Sequence, residues 1–295
     1  MAFTYIFIRP DKLHGLRAAS DLQPGTLVAE PEPLLAVEVP CSHEDWEQSA
    51  ELRKNFFEDQ NRKGTKAPSA TRSPNSPRTI YEYFAAFQGC RGNNAALVIF
   101  PTICNVRHSC RPNAVINYTD GRASLRAMNP IRKDEEITVD MLPGDLWLDT
   151  KRGRQEYLLN RFNYTCTCVD CNHDNQSDGE KARARLQRQH PKIKQICTSL
   201  LSSVAISAGR TGQGRQRLVE TVWDYQENVL AMGFRDIRLA HAHIAVASIT
   251  GPSYPQAALD HAVRAMIIIA RTYGTDTHPC ITVALELLRR YAPFS

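Results

Sequence analysis

The chain has 295 residues, 42% hydrophobic and 23% charged, with a net charge of +5 at pH 7. This is ordinary globular composition, which excludes a disordered polyelectrolyte, and the length suits two domains of roughly 100–200 residues each. The mild positive charge permits acidic partners but does not point to direct nucleic-acid binding. The longest apolar runs, such as Ala265 to Ala270, fall far short of the ~20 residues that cross a bilayer, so no membrane partner is expected.

The first elements read as short strands, Phe3–Ile8, Thr26–Glu30 and Leu34–Val39, punctuated by Pro24-Gly25 and by Pro31 and Pro33. The start has neither a basic stretch nor a small-residue cleavage site, so it reads as a strand and not as a secretion signal. Nine cysteines in such a chain imply a reducing compartment, cytoplasmic or nuclear, and metal binding in preference to disulfides. A helix is expected over 44–60. The Ser/Pro/Lys/Arg-rich stretch 61–78 reads as a mobile loop, and helix resumes over 81–87, so that 43–80 forms a helical and mobile insertion.

Strand alternation returns over Ala114–Tyr118, Ser124–Ala127 and Glu136–Val139, with Asp120-Gly121 as a hairpin turn between the first two. Asp134-Glu135-Glu136 reads as a turn entering the last strand. Lys151–Phe162 is an amphipathic helix leading into a cysteine cluster. From Glu180 onward the apolar residues recur at three-and-four spacing. Helices are expected at Leu239–Thr250, Gln256–Tyr273 and Pro279–Tyr291, a short array of the tetratricopeptide kind. The basic run Lys181, Arg183, Arg185, Arg188, Lys192, Lys194 reads as a solvated helix face. His241, His243 and His261 show no metal-ligand spacing. The expected organisation is α+β, with domains at 1–178 and 179–295.

Cys166, Cys168 and Cys171 form a C-x-C-x-x-C cluster, a metal signal in an intracellular chain. A fourth ligand completes a tetrahedral zinc site; Cys110 is preferred, and His173 is a chemically acceptable alternative. Four protein ligands leave no open position, so such a zinc is structural. Asp170 either orients these ligands or is a solvated loop residue.

A wider set of residues resembles a known family. Phe100-Pro101, His108-Ser109-Cys110 and Pro112-Asn113 are followed by Leu125-Arg126-Ala127, Ile131 and Asp134 to Thr138. Arg154-Gln155 and cysteines 166, 168 and 171 come next. Together with Gly15-Leu16-Arg17-Ala18 and Pro24-Gly25-Thr26 near the start, they are similar to the SET-domain lysine methyltransferases. The tail from Ala270 to Pro279 resembles the helical domain of the SET-and-MYND branch. No MYND zinc finger is visible, because 43–78 contains no cysteine. The resemblance implies a SET β-fold with a post-SET zinc site, followed by an all-helical tetratricopeptide-like domain. It implies S-adenosylmethionine bound near His14, Gly15, Leu16, Arg107 and His108, a narrow lysine channel from the opposite face, and a tyrosine orienting the amine.

Four positions depart from that pattern. Leu13 stands where a glycine lets backbone approach the cofactor, and Arg107 replaces an asparagine. Met141 stands at the tyrosine position, and Phe162 replaces a hydroxyl-bearing aromatic. These departures give the expected function. The scaffold is repurposed to hold a small organic substrate against Met141, Leu142 and Phe162, with Arg107 and His108 polarising a carbonyl or enolate. Arg107, His108 and Met141 are thus the catalytic positions, and the reaction is a cyclisation or isomerisation. The alternatives are an S-adenosylmethionine-dependent lysine methyltransferase of histone type, acting on a lysine-bearing protein, and an inactive interaction module.

Overall fold

Period-two alternation over residues 122–127 and 136–139 builds strands against a small apolar core. In the computed structural model the described residues are 6–7, 15–30, 35–39, 88–91, 94–99, 103, 106–119, 122–162, 164–172, 178–201, 212–274 and 278–292. The helices expected over 44–60 and 81–87, the loop at 61–78, Leu13, His14, Asp120-Gly121 and His173 lie outside them. The strands are β1 Ile6–Phe7, β2 Leu16–Arg17, β3 Leu27–Ala29, β4 Leu35–Val39, β5 Gln88–Arg91, β6 Asn94–Ile99, β7 Arg107–His108, β8 Ala114–Thr119, β9 Arg122–Ala127 and β10 Glu136–Val139. They make three small sheets, ordered β1-β2-β10-β7, β3-β9-β8 and β4-β6-β5.

In β9 the alternate residues Ala123, Leu125 and Ala127 point inward, as do Ile137 and Val139 of β10. They close on Leu16, Ala18, Ala29, Val106, Ala114 and Ile131. Thr119 pairs with Arg122 across the β8–β9 ladder, the register a two-residue hairpin produces. Asp134 enters β10 with φ of 65°, a left-handed conformation that aspartate tolerates in turns. β7 was not expected from the sequence. It runs parallel to β10, placing Arg107 opposite Thr138 and His108 opposite Val139.

Helices follow the sheets: α1 Lys151–Phe162, α2 Val169–Asn172, α3 Asp178–Leu201, α4 Gly212–Ala231, α5 Ile237–Thr250, α6 Pro255–Tyr273 and α7 Pro279–Tyr291. α5 is apolar nearly all round and is buried by its neighbours α3, α4, α6 and α7. Its core is continuous with Leu142, Trp147, Leu148, Leu158, Cys166 and Cys171 of the preceding segment. Gly274 caps α6 at φ 68°, and a Cβ there would lie 2.1 Å from a guanidinium nitrogen of Arg126 on β9, so glycine is required twice over. Two amides join the sheets to the helices. Asn117 donates to the Thr272 carbonyl, and Asn129 donates to the Gly233 carbonyl at 2.8 Å. The α+β class holds, with small sheets followed by a helical C-terminal region. Among the described residues no helix is long and apolar enough to cross a membrane.

One charged residue departs from the expected solvated face. Arg183 is 1% exposed, although its neighbours Lys181, Arg185 and Arg188 face solvent. It lies on the inner stripe of α3 with Ala182 and Leu186.

Candidate active site and metal centre

The turn after β7 delivers Cys110, the segment between α1 and α2 delivers Cys166 and Cys168, and α2 itself delivers Cys171. All four sulfur atoms lie within 4.8 Å of one another, and Cys110 Sγ is 3.6 Å from Cys171 Sγ. A tetrahedron with Zn–S bonds of about 2.3 Å has S···S edges of about 3.8 Å. The donor set therefore fits a tetrahedral thiolate-bound metal, with Cys110 placed where it could be the fourth ligand. α1 holds the cluster in place: the Gln155 side chain accepts the Cys166 amide at 3.0 Å and donates to the Cys166 carbonyl at 2.6 Å. The first turn of α2 folds Cys171 back over the Cys168 carbonyl at 2.9 Å. Crowding of this kind splits the thiols: hydrogen bonding to Cys110 pushes the Cys166 thiol up and pulls that of Cys168 down.

A buried arginine touches one of the sulfurs, and two further arginines hold the neighbouring Asp170. Arg154, 0% exposed, donates from Nε to Cys110 Sγ at 3.3 Å and from Nη2 to Glu180 at 2.6 Å. Burial opposes its charge, but Glu180 and Cys110 outweigh that and push its pKa up. Asp170 is 2% exposed and is bridged by Arg111 at 2.6 Å and Arg183 at 3.0 Å. The reading of Asp170 as a solvated loop residue is corrected: it ties α2 to α3. Arg183 also donates to the Trp147 carbonyl, which explains its burial within a basic run.

On the other side of His108 lies a second constellation. Arg107 makes two hydrogen bonds to Glu136, with the pair 31% and 24% exposed. The Glu136 hydrogen bond pushes the Arg107 pKa up. A Cβ on Gly15 would sit 2.6 Å from Glu136 Oε1 and 3.3 Å from Arg107 Nε, so the backbone passes directly against this pair. Leu16, by contrast, is buried in the sheet core.

His108 is 3% exposed, and both its ring nitrogens are engaged within the protein. Nδ1 accepts the Met141 amide at 3.0 Å, which assigns the proton to Nε2, 3.4 Å from Cys110 Sγ. The ring is thus a strut between a metal-site sulfur and residue 141. Met141 is half-buried between the two cores, Leu142 is buried, and Phe162 packs edge-on against Tyr157 at 6.1 Å. Tyr164, passed over in the sequence, donates its hydroxyl to the His108 carbonyl at 3.2 Å. Burial pushes its pKa up, and the charges of Arg107 and Glu136 both act on it, so the phenol stays protonated beside that pair.

The SET domain profile matches residues 14–140. The chain contains a SET domain. It is similar to histone-lysine N-methyltransferase ASHR1 of Arabidopsis thaliana, 34% identical over 73 residues, which is 25% of this chain and 15% of that protein. N-lysine methyltransferase SMYD2 of Homo sapiens is 30% identical over 100 residues, 33% of this chain and 22% of that protein. SET domain and MYND-type zinc finger protein 6 of Schizosaccharomyces pombe is 30% identical over 97 residues, 32% of this chain and 20% of its own length. The matched segments are therefore less than a quarter of each relative. The resemblance to the SET-and-MYND lysine methyltransferases is borne out as homology of the SET domain.

The sequence reading brought together Gly15, Arg107, His108 and Cys110 within the matched residues, and Cys166, Cys168 and Cys171 beyond them. It missed Glu136 as the partner of Arg107, and it missed Tyr164. The available signal for Tyr164 was its position two residues before Cys166. His243 and His261 meet across α5 and α6 at 2.9 Å, yet among the described residues only the four cysteines form a group able to hold a metal. A cleft of about 350 Å³ opens between β9 and helices α5 and α6, beside Met128, Arg235, Leu239 and Arg271. None of the predicted substrate residues lines it.

Proposed function

We propose that this protein is an S-adenosylmethionine-dependent methyltransferase acting on lysine side chains of a protein substrate, with a structural zinc in the Cys110, Cys166, Cys168, Cys171 site. The observation that carries this reading is the Tyr164 hydroxyl on the His108 carbonyl, a phenol next to the Arg107–Glu136 pair. It supplies the hydroxyl that Met141 lacks. The relatives' names as lysine methyltransferases support the same reading.

The residues present fit the cofactor. Arg107 and Glu136 offer one cation and one carboxylate side by side, the complement of a zwitterionic amino-acid end. Their mutual pair is partly exposed, so exchanging partners costs at most about 1 kcal/mol. Gly15 lets the backbone approach this pair closely, where a Cβ would meet Glu136 Oε1 at 2.6 Å. S-adenosylmethionine supplies a methyl group on a sulfonium centre. The protein must then present a neutral amine in line with it. Met141, Leu142 and Phe162 form apolar walls that disfavour an ammonium and lower the lysine pKa, so the proton leaves to water before transfer. The Tyr164 oxygen and the His108 carbonyl orient the amine and offer oxygen dipoles to the moving methyl. The zinc site holds the segment carrying Tyr164 against β7. Helices α3 to α7 pack successively on one another, which supports a tetratricopeptide-like platform for the lysine-bearing protein. The free cysteines favour a cytoplasmic or nuclear setting.

A second reading keeps the repurposed scaffold, favoured by the absence of a hydroxyl at Met141. There Arg107 faces a small organic substrate that cyclises or isomerises. Calorimetric titration of the full chain with S-adenosylmethionine, followed by transfer of labelled methyl to histones and to a lysine peptide array, separates the two. Saturable binding with lysine methylation is expected. No binding, with an organic compound co-purifying in the channel, would overturn the methyltransferase reading in favour of the second.

A further inference from the structure

Asp140 follows the last residue of β10 and precedes Met141, and its carboxylate is used on both sides. Oδ1 accepts the Leu142 amide at 3.0 Å and lies 3.7 Å from His108 Nδ1. Oδ2 accepts Arg238 Nη1 at 2.6 Å. Since His108 Nδ1 accepts the Met141 amide at 3.0 Å, two consecutive amides beyond β10 are held by side chains and not by a neighbouring strand.

Arg238 comes from the first turn of α5, in the helical region, and it has little freedom of its own. Its Nε lies 3.0 Å from both oxygens of Asp236, and Nη2 is 2.5 Å from Oδ2. Asp236 in turn caps α5 by accepting the Arg238 amide at 3.0 Å. The guanidinium face lies 3.7 Å from the Phe234 ring centroid and 5.1 Å from that of Trp147. Carboxylates on two edges and aromatics on one face make this a cation with a single available geometry. It is fixed to the helices and reaches into the SET domain.

We propose that Arg238 and Asp140 are positioning residues: the helical region, through this one contact, sets the Met141–Leu142 wall against His108. The proposal rests on the reading that Met141 and Leu142 line the amine channel. It makes the start of α5 part of the active site, so that anything displacing that helix end also displaces the channel wall.

The test is amide hydrogen exchange on the full chain in Asp140→Asn, Arg238→Met and Asp236→Asn, together with methyl-transfer kinetics. Asp140→Asn keeps an acceptor for the Leu142 amide and loses only the charge that holds Arg238. Exchange at Met141 and Leu142 is expected to rise roughly tenfold or more in Asp140→Asn and Arg238→Met, since local opening responds directly to lost contacts. The kcat should fall by a similar factor while KM for the methyl donor stays unchanged. Asp236→Asn loosens Arg238 from its other side and uncaps α5, so exchange should rise both at the start of α5 and at Met141 and Leu142. Unchanged exchange at Met141 and Leu142 in Asp140→Asn, or a rise in that variant spread evenly over the whole chain, overturns the proposal. If Arg238→Met does not fold, Asp140→Asn decides alone. A wild type that transfers no methyl group refutes the functional reading, and the exchange data still decide the link.

Discussion

Replacing Cys110 by serine removes the one sulfur that joins the cluster from before α1. The remaining cysteines, Cys166, Cys168 and Cys171, lie within six positions of one another, so a metal held by them alone would no longer tie the SET sheet to the segment at 166–171. The loss can be estimated from chain entropy. A cross-link from residue 110 to the segment at 166–171 closes a loop of nearly sixty residues, and a closure of that length is worth about 4 kcal/mol. Domain stability is only about 5–15 kcal/mol, and about 1 kcal/mol shifts the melting point of a chain this size by roughly 2–4 °C. Cys110→Ser should therefore melt roughly 8–16 °C lower and lose its bound zinc on dialysis. Thermal unfolding combined with elemental analysis reads both. Cys197→Ser is the control, because that thiol is buried among α3 and its neighbours, away from the cluster. It should keep its zinc. A Cys110→Ser protein with full zinc and an unchanged melting point would refute the reasoning.

Gly15→Ala would bring a methyl group to 2.6 Å from Glu136 Oε1. The carboxylate end can swing aside, so stability should change little, while S-adenosylmethionine affinity should fall about tenfold, in line with overpacking costs of 1–3 kcal/mol; calorimetry against the wild type checks this. Burial depresses His241 and His243 to about 4, from an ordinary 6.5. Both are neutral when folded and take up protons more readily when unfolded. The stability they contribute is complete above pH 6.5 and is lost as the pH falls toward 4, at up to roughly 3 kcal/mol each. Melting curves between pH 7.5 and 4.5 should show a steady decline through that window, and His243→Gln should shrink it.

Much of the fold was legible because its signals are local. Alternation located β10, and helical periodicity gave α1 and α7 with the bounds observed. Elements that exist only through distant partners were not legible. β7 has two residues, and its strand character comes from lying parallel to β10. β5 has no apolar alternation of its own, and it is a strand because β6 pairs with it and with β4. Charge disguised Arg183, whose position on the inner stripe of α3 was readable but whose partner Asp170 belongs to another helix. Cys166, Cys168 and Cys171 were legible from spacing, whereas the fourth position stayed open between Cys110 and His173, and the contact of Arg154 with Cys110 was not legible. At the reactive end, attention to residue 162 hid the hydroxyl two positions later. His108 illustrates the opposite limit: its ring was expected to face a substrate, and the structure uses it as a strut between Cys110 and Met141.

The measurement that bears most directly on the account is the single-turnover methyl-transfer rate of Tyr164→Phe, alone and combined with Met141→Tyr. Removing one preorganised hydroxyl should slow transfer about a hundredfold without weakening donor binding, and a phenol restored at position 141 should recover much of that loss. Equal rates in the wild type and Tyr164→Phe, or loss of zinc together with the hydroxyl, would contradict the claim that this tyrosine serves the amine channel.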